Sequence, residues 1–180
     1  MICSRIRALP DHFMEMEPMR KGLWFATLLL ALAGFGSSAA AQLLQRKDLS
    51  YAMAKTIAEG AVEDCKARGY AVAAVVVDRG GDIIVALRAD NAGLHTMENA
   101  RRKAYTARTF RMTTEEFAKG VATNPVRREQ TTLPNIVAIP GGVPIKVGDD
   151  VIGGVGVSGS PGVDEPCVLA GIDKVKDQLK

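Results

Sequence analysis

At 180 residues the chain is too short for two ordinary domains, and 23 basic against 20 acidic residues leave a formal net charge of only +3. That balance makes no electrostatic case for nucleic acid. The single basic cluster, Arg101-Arg102-Lys103, reads as the solvated face of a helix.

The first 41 residues read as a leader. Met19-Arg20-Lys21 is a short basic start, Gly22 to Gly36 is an apolar run without charge, and Ser37 to Ala41 offers small residues in an A-x-A arrangement. This pattern predicts a secretory signal peptide cleaved near Ala41, with Met19 a candidate true initiator behind an N-terminal extension. The apolar run is short for a membrane span. Residues 1–41 are therefore expected to be removed, leaving 42–180 as a single domain with a periplasmic or secreted destination.

Ser50 to Arg68 predicts a helix. Ala54, Ile57, Ala58, Ala61, Val62 and Cys65 recur at helical spacing, Ser50 stands at the cap and Gly69 at the stop. Tyr70 to Asp78 is a continuous apolar run, as expected of a covered strand. Arg79-Gly80-Gly81-Asp82 predicts a hairpin turn and Ile83 to Arg88 the returning strand. Thr96 to Thr109 predicts a second helix with Met97, Ala100, Ala104 and Ala107 inward. Thr113 or Thr114 caps a third, broken at Asn124-Pro125. Asn135 to Ile139 reads as a third strand.

The stretch from Gly141 to Asp164 carries the most information. Gly141 and Gly142 supply freedom for a turn, and Gly148-Asp149 separates two apolar runs as a hairpin would. Val151 to Gly159 then alternates β-branched residues with Gly153, Gly154 and Gly156. A strand so poor in side chains needs something close to its backbone, either a packed helix or a bound ligand. We read it as a surface for a flat guest or a neighbouring subunit. Asp164 is expected to cap the last helix, with Pro166 in its first turn.

The element order implies an α/β (α+β) sandwich with a five-stranded antiparallel sheet covered by helices. Cys65 and Cys167 remain after the leader. They are either a disulfide joining the first and last helices or two separate buried thiols.

Three blocks, VVVDRGGDIIVALRADNAG, RRKAYTARTF and GGVPIKVGDDVIGGVGVSGSPGVDEPCVLAGI, together resemble the GlcG/HbpS-like family. The likeness spans Leu43 to Lys180. Its members are small proteins described as haem-binding or haem-degrading, and a related domain is appended to some corrinoid adenosyltransferases. The resemblance implies an antiparallel α/β sandwich of the profilin and roadblock type, homo-oligomeric assembly, and haem or a related small planar cofactor as ligand.

His95 is the one histidine after the leader, and it stands just before the second helix. A helix N-terminus disfavours the imidazolium and leaves a lone pair for a metal, so His95 is the first candidate for an axial ligand to haem iron. Tyr105 and Thr106 are further candidates, with helix packing as their plainer role. Arg79 and Arg88, and after them Arg101, Arg102 and Lys103, are candidates for pairing with propionates, against the preferred alternative of solvated strand ends and helix face. The Gly141-Gly142 turn and the Ser158-Gly159-Ser160 loop present backbone N–H groups to a carboxylate or phosphate, though no Lys-Ser/Thr pair follows the glycines.

Hydrolytic and zinc chemistry lack support. No spacing around His95 suggests a triad, and no H-E-x-x-H or C-x-x-C is present. A binding protein is thus the leading expectation. A haem-degrading or hydroxy-acid enzyme, and a scaffold for assembly, are the alternatives.

Overall fold

Ala73 to Val77 are all buried and alternate between two apolar faces of the sheet, and each face recruits its own helices. A computed structural model of the chain describes residues 42–180. The leader reading, with cleavage near Ala41, lies outside the described residues. Four strands form the sheet: β1 (Ala73–Val77), β2 (Ile83–Arg88), β3 (Gly142–Val147) and β4 (Asp150–Ser158). Their order is β2-β1-β4-β3, with every neighbouring pair antiparallel. The helices are α1 (Tyr51–Ala67), α2 (Thr96–Phe110), α3 (Thr114–Thr123), α4 (Pro125–Glu129) and α5 (Asp164–Asp173).

Local signals set most of these boundaries. Ser50 accepts a hydrogen bond from the Met53 amide at the start of α1, and Gly69 follows the helix at φ +87°. Thr113 and Glu116 form a capping box on α3. Gly81 at φ +91° makes the β1–β2 turn, and Gly148 at φ +58° makes the β3–β4 turn.

The expected fifth strand is absent from the described residues. Asn135 to Ile139 is irregular chain, with Asn135 itself at φ +67°. Side chains of α2 take the place of a strand partner. Thr106 Oγ1 accepts from the Val137 amide at 3.0 Å, and Arg102 donates to the Ile136 carbonyl at 2.6 Å. Ile136 and Val137 are buried, so apolarity here reports packing rather than pairing.

On one face, Ala74, Val76, Val155 and Val157 pack with Ile57, Ala58 and Ala61 of α1 and with Val168 of α5. On the other, Ala73, Val75 and Val77 meet Ala100, Ala104 and Met97 of α2. The sulfurs of Cys65 and Cys167 are joined as a disulfide, with Cα atoms 5.4 Å apart, which ties α1 to α5.

Gly154 and Gly156 of β4 and Gly142 of β3 serve the second face. A side chain at Gly154 would strike the Ala104 carbonyl, one at Gly156 the Ala100 carbonyl, and one at Gly142 the Lys103 carbonyl. All three are buried. What comes close to this backbone is helix α2 of the same chain, which corrects the reading of a surface for a flat guest or a second subunit.

Candidate functional site

Helix α2 also builds the main cleft, at the end of the sheet where β4 runs into α5. His95 stands at its N-cap, exposed, with no capping hydrogen bond from its side chain. One and two turns on, Asn99 and Lys103 follow at i+4 and i+8, on the same side of the helix. All three line a cleft of about 630 Å³. Asn99 donates to Ser158 Oγ at 3.0 Å, fixing the end of β4 to the helix. Opposite lie Ile139, Pro140 and Pro161, an apolar wall. Ile139 is 45% exposed and Leu94, beside His95, is 92% exposed.

Lys103 corrects the reading of a solvated basic face. It is buried to 1% exposure, and its ammonium donates to Asp164 Oδ2 at 2.7 Å and to the Val157 carbonyl at 2.9 Å. Burial pushes the ammonium below the ordinary lysine range, and the bond to Asp164 opposes this. Asp164 does not cap α5 as expected. Val163 holds the N-cap position without a side-chain bond. The Asp164 carboxylate accepts instead from the Ser160 amide at 2.9 Å and the Ser160 hydroxyl at 2.7 Å. Neighbouring Arg101 pairs with Glu98 at 2.8 Å, so this cluster is spent on structure.

Arg88 is exposed at the end of β2, paired in register with Ala73, which pairs in turn with Ser158. Two strand spacings, about 10 Å, therefore separate Arg88 from the cleft edge at Ser158. Gly141 and Gly142 lie beside Lys103 but are already engaged. The Gly142 amide donates to Thr114 Oγ1 at 2.8 Å, and the Gly141 carbonyl accepts from the Val157 amide at 2.8 Å. In the Ser158-Gly159-Ser160 loop the Ser160 amide is likewise taken by Asp164.

The remaining candidates are elsewhere. Tyr105 is ten residues beyond His95, about 15 Å along the helix. Its ring covers Gly81, with a ring carbon 2.8 Å from where a Cβ would project. Thr106 is fully buried on Val137. Arg79 is at the opposite end of the sheet, and all its donors are committed. They reach Asp48 at 3.1 Å, both Asp150 oxygens at 2.8 Å, and the carbonyls of Lys47 and Val151. Of the candidate axial ligands, His95 alone lines this cleft; Gly141 and Gly142 lie behind it on Lys103, Arg88 stands beyond its edge, and Tyr105, Thr106 and Arg79 are away from it. Sequence reasoning missed Asn99 and the buried pairing of Lys103 with Asp164, although polar residues spaced i, i+4, i+8 from His95 were a visible stripe.

Among the described residues no group of three or more His, Cys, Asp or Glu side chains is placed to hold a metal ion. The family model for "Haem degrading protein HbpS-like" matches residues 49–173. The chain belongs to the HbpS-like family. It is 32% identical to Protein GlcG of Escherichia coli K12 over 110 residues, 61% of this chain and 81% of that protein. The crystal structure of HbpS superposes with a TM-score of 0.70 at 34% identity, covering 76% of this chain and 99% of HbpS. A second solved relative is a PduOC:heme complex, with a TM-score of 0.64 at 26% identity over 71% of this chain and 94% of that one. The HbpS-like match spans every element that builds the His95 cleft.

Proposed function

We propose that this HbpS-like domain binds haem, or a closely related planar cofactor, with His95 as the axial ligand and the cleft beside it seating one face of the macrocycle. The observation that carries the reading is the placement of His95. It is the only imidazole of residues 42–180, exposed, free of a capping bond, and at the rim of a cleft with an apolar wall. A cleft of about 630 Å³ falls in the range of small-molecule sites. A relative solved with haem supports the ligand class.

Haem would supply the iron chemistry when bound. The chain's own part is narrower. His95 offers a ring nitrogen, Ile139, Pro140 and Pro161 line one wall, and Arg88, outside the cleft lining, offers a guanidinium to a propionate that reaches past Ser158. Lys103 and Asp164 neutralise each other, so the inner end of the cleft holds polar groups without net charge. The same proposal includes export after cleavage near Ala41, on the leader pattern, and homo-oligomeric assembly, on the family resemblance.

Haemin titration followed in the Soret region tests it. Saturation at one equivalent, weakened at least about tenfold in His95→Ala, is expected. No saturable change, or equal binding by His95→Ala, overturns the assignment. A reductant added to the complex separates storage from breakdown. A stable spectrum fits binding alone, and steady bleaching favours the degrading activity in the family's description.

A further inference from the structure

A second hollow, of about 550 Å³, lies at the far end of the sheet, where the β1–β2 turn meets the chain leading into α1. Three guanidiniums line it: Arg46, Arg79 and Arg108. Arg79 has no donor left, being fixed to Asp48 and Asp150. Arg108 is different. Its Nε is buried and has no hydrogen-bond partner, the only such nitrogen among the described side chains. An unpartnered buried donor is costly, more so when charged, so its retention asks for a reason. Burial, then the nearby charges of Arg111 and Arg79, push Arg108 below the ordinary arginine range, and the charges of Asp150 and Asp78 oppose this. Arg46 makes no ion pair among the described residues.

The hydrogen-bond partners narrow the occupant. Asp48 is taken by Arg79, and Asp78 is the one lining carboxylate without an ion pair, accepting instead from the Asp82 amide at 3.0 Å. Arg79 thus takes two carboxylates, while Arg46 and Arg108 hydrogen-bond to none among the described residues. Leu49 and Ile84 supply apolar wall in the same hollow. We propose that this hollow is a second ligand site for a short-chain monocarboxylate, held by Arg46 and Arg108 at its carboxylate and by Leu49 and Ile84 along its alkyl tail. Guanidinium and carboxylate match as planar, bidentate partners. The site shares no lining residue with the His95 cleft, so each stands or falls alone.

Butyrate and inorganic phosphate, titrated separately at constant ionic strength into ¹⁵N-arginine-labelled protein, test the assignment. The expected result is a saturable shift of the Arg108 Nε–H resonance with butyrate, identified by its absence in Arg108→Gln. Arg46→Gln replaces an exposed residue and should weaken butyrate at least about fivefold while leaving haemin binding unchanged. Competition by phosphate for the butyrate-shifted resonance would support the same oxyanion site. Saturation by phosphate alone would overturn the carboxylate assignment. No saturable shift with either anion, or undiminished butyrate affinity in Arg46→Gln, would overturn the site itself.

Discussion

Replacing Lys103 by Met should cost far more than a helix-surface lysine would. The ammonium is 1% exposed and bonded at 2.7 Å to a carboxylate that is itself 8% exposed. Methionine keeps most of the stem's packing but leaves Asp164 charged, buried and reliant on Ser160 alone. Breaking one partner of a buried pair costs about 3–5 kcal/mol. For a domain of roughly 140 residues, unfolding entropy near 2.1 cal/mol/K per residue turns this into a fall in Tm of about 10–17 °C. Urea unfolding followed by circular dichroism measures it. Lys103→Met/Asp164→Leu should recover most of the loss, because removing both charges is often close to neutral. The pH dependence gives a second readout. Lys103 is lowered in the folded state, so the unfolded chain binds its proton more tightly. Its stabilisation is therefore complete above the unfolded lysine value and lost as pH falls through the lowered folded value. The wild type should gain stability relative to Lys103→Met as pH rises through that window. A loss under 1 kcal/mol in Lys103→Met, with no difference in pH slope, would show that water reaches the pair and refute the reasoning.

Other substitutions probe separate contacts. Gly156→Ala places a methyl against the Ala100 carbonyl and 2.6 Å from the Ala104 amide nitrogen, backbone atoms that cannot swing away. It should destabilise by about 1–3 kcal/mol in thermal unfolding. Thr106→Val removes the acceptor for the buried Val137 amide and should cost about 1–3 kcal/mol, with faster amide exchange at Val137. The Cys65–Cys167 bridge closes 102 residues of sequence, and in the chain-entropy model the double Cys→Ala variant should lose about 4–5 kcal/mol. Free-thiol titration of the unreduced protein should find neither sulfur reactive.

Most helices, both hairpins and the antiparallel pairing were legible because local chemistry dictates them. Ser50 and Thr113 cap, Gly81 and Gly148 turn, and the helix stripes repeat at their proper spacing. Three features were not local. The apolar Ile136-Val137 pair looked like a strand because its backbone partners, Thr106 and Arg102, come from a helix about 30 residues earlier. Lys103 looked solvated because its counter-ion lies 61 positions away. The β4 glycines announced a close neighbour without saying which, and only the positions of the Ala100 and Ala104 carbonyls name α2. For the site, His95 was conspicuous as a lone imidazole. Its cleft depends on the Ile139-Pro140 wall, which no periodicity reveals.

Because residues 42–180 hold a single histidine, ¹⁵N-histidine labelling of that domain marks one residue only. Pulsed EPR of the labelled protein loaded with ferric haem should then show ¹⁵N hyperfine coupling to the iron from His95. A saturated haem complex whose iron shows no such coupling would mean that another group holds the metal, and that the His95 cleft is not where this domain binds it.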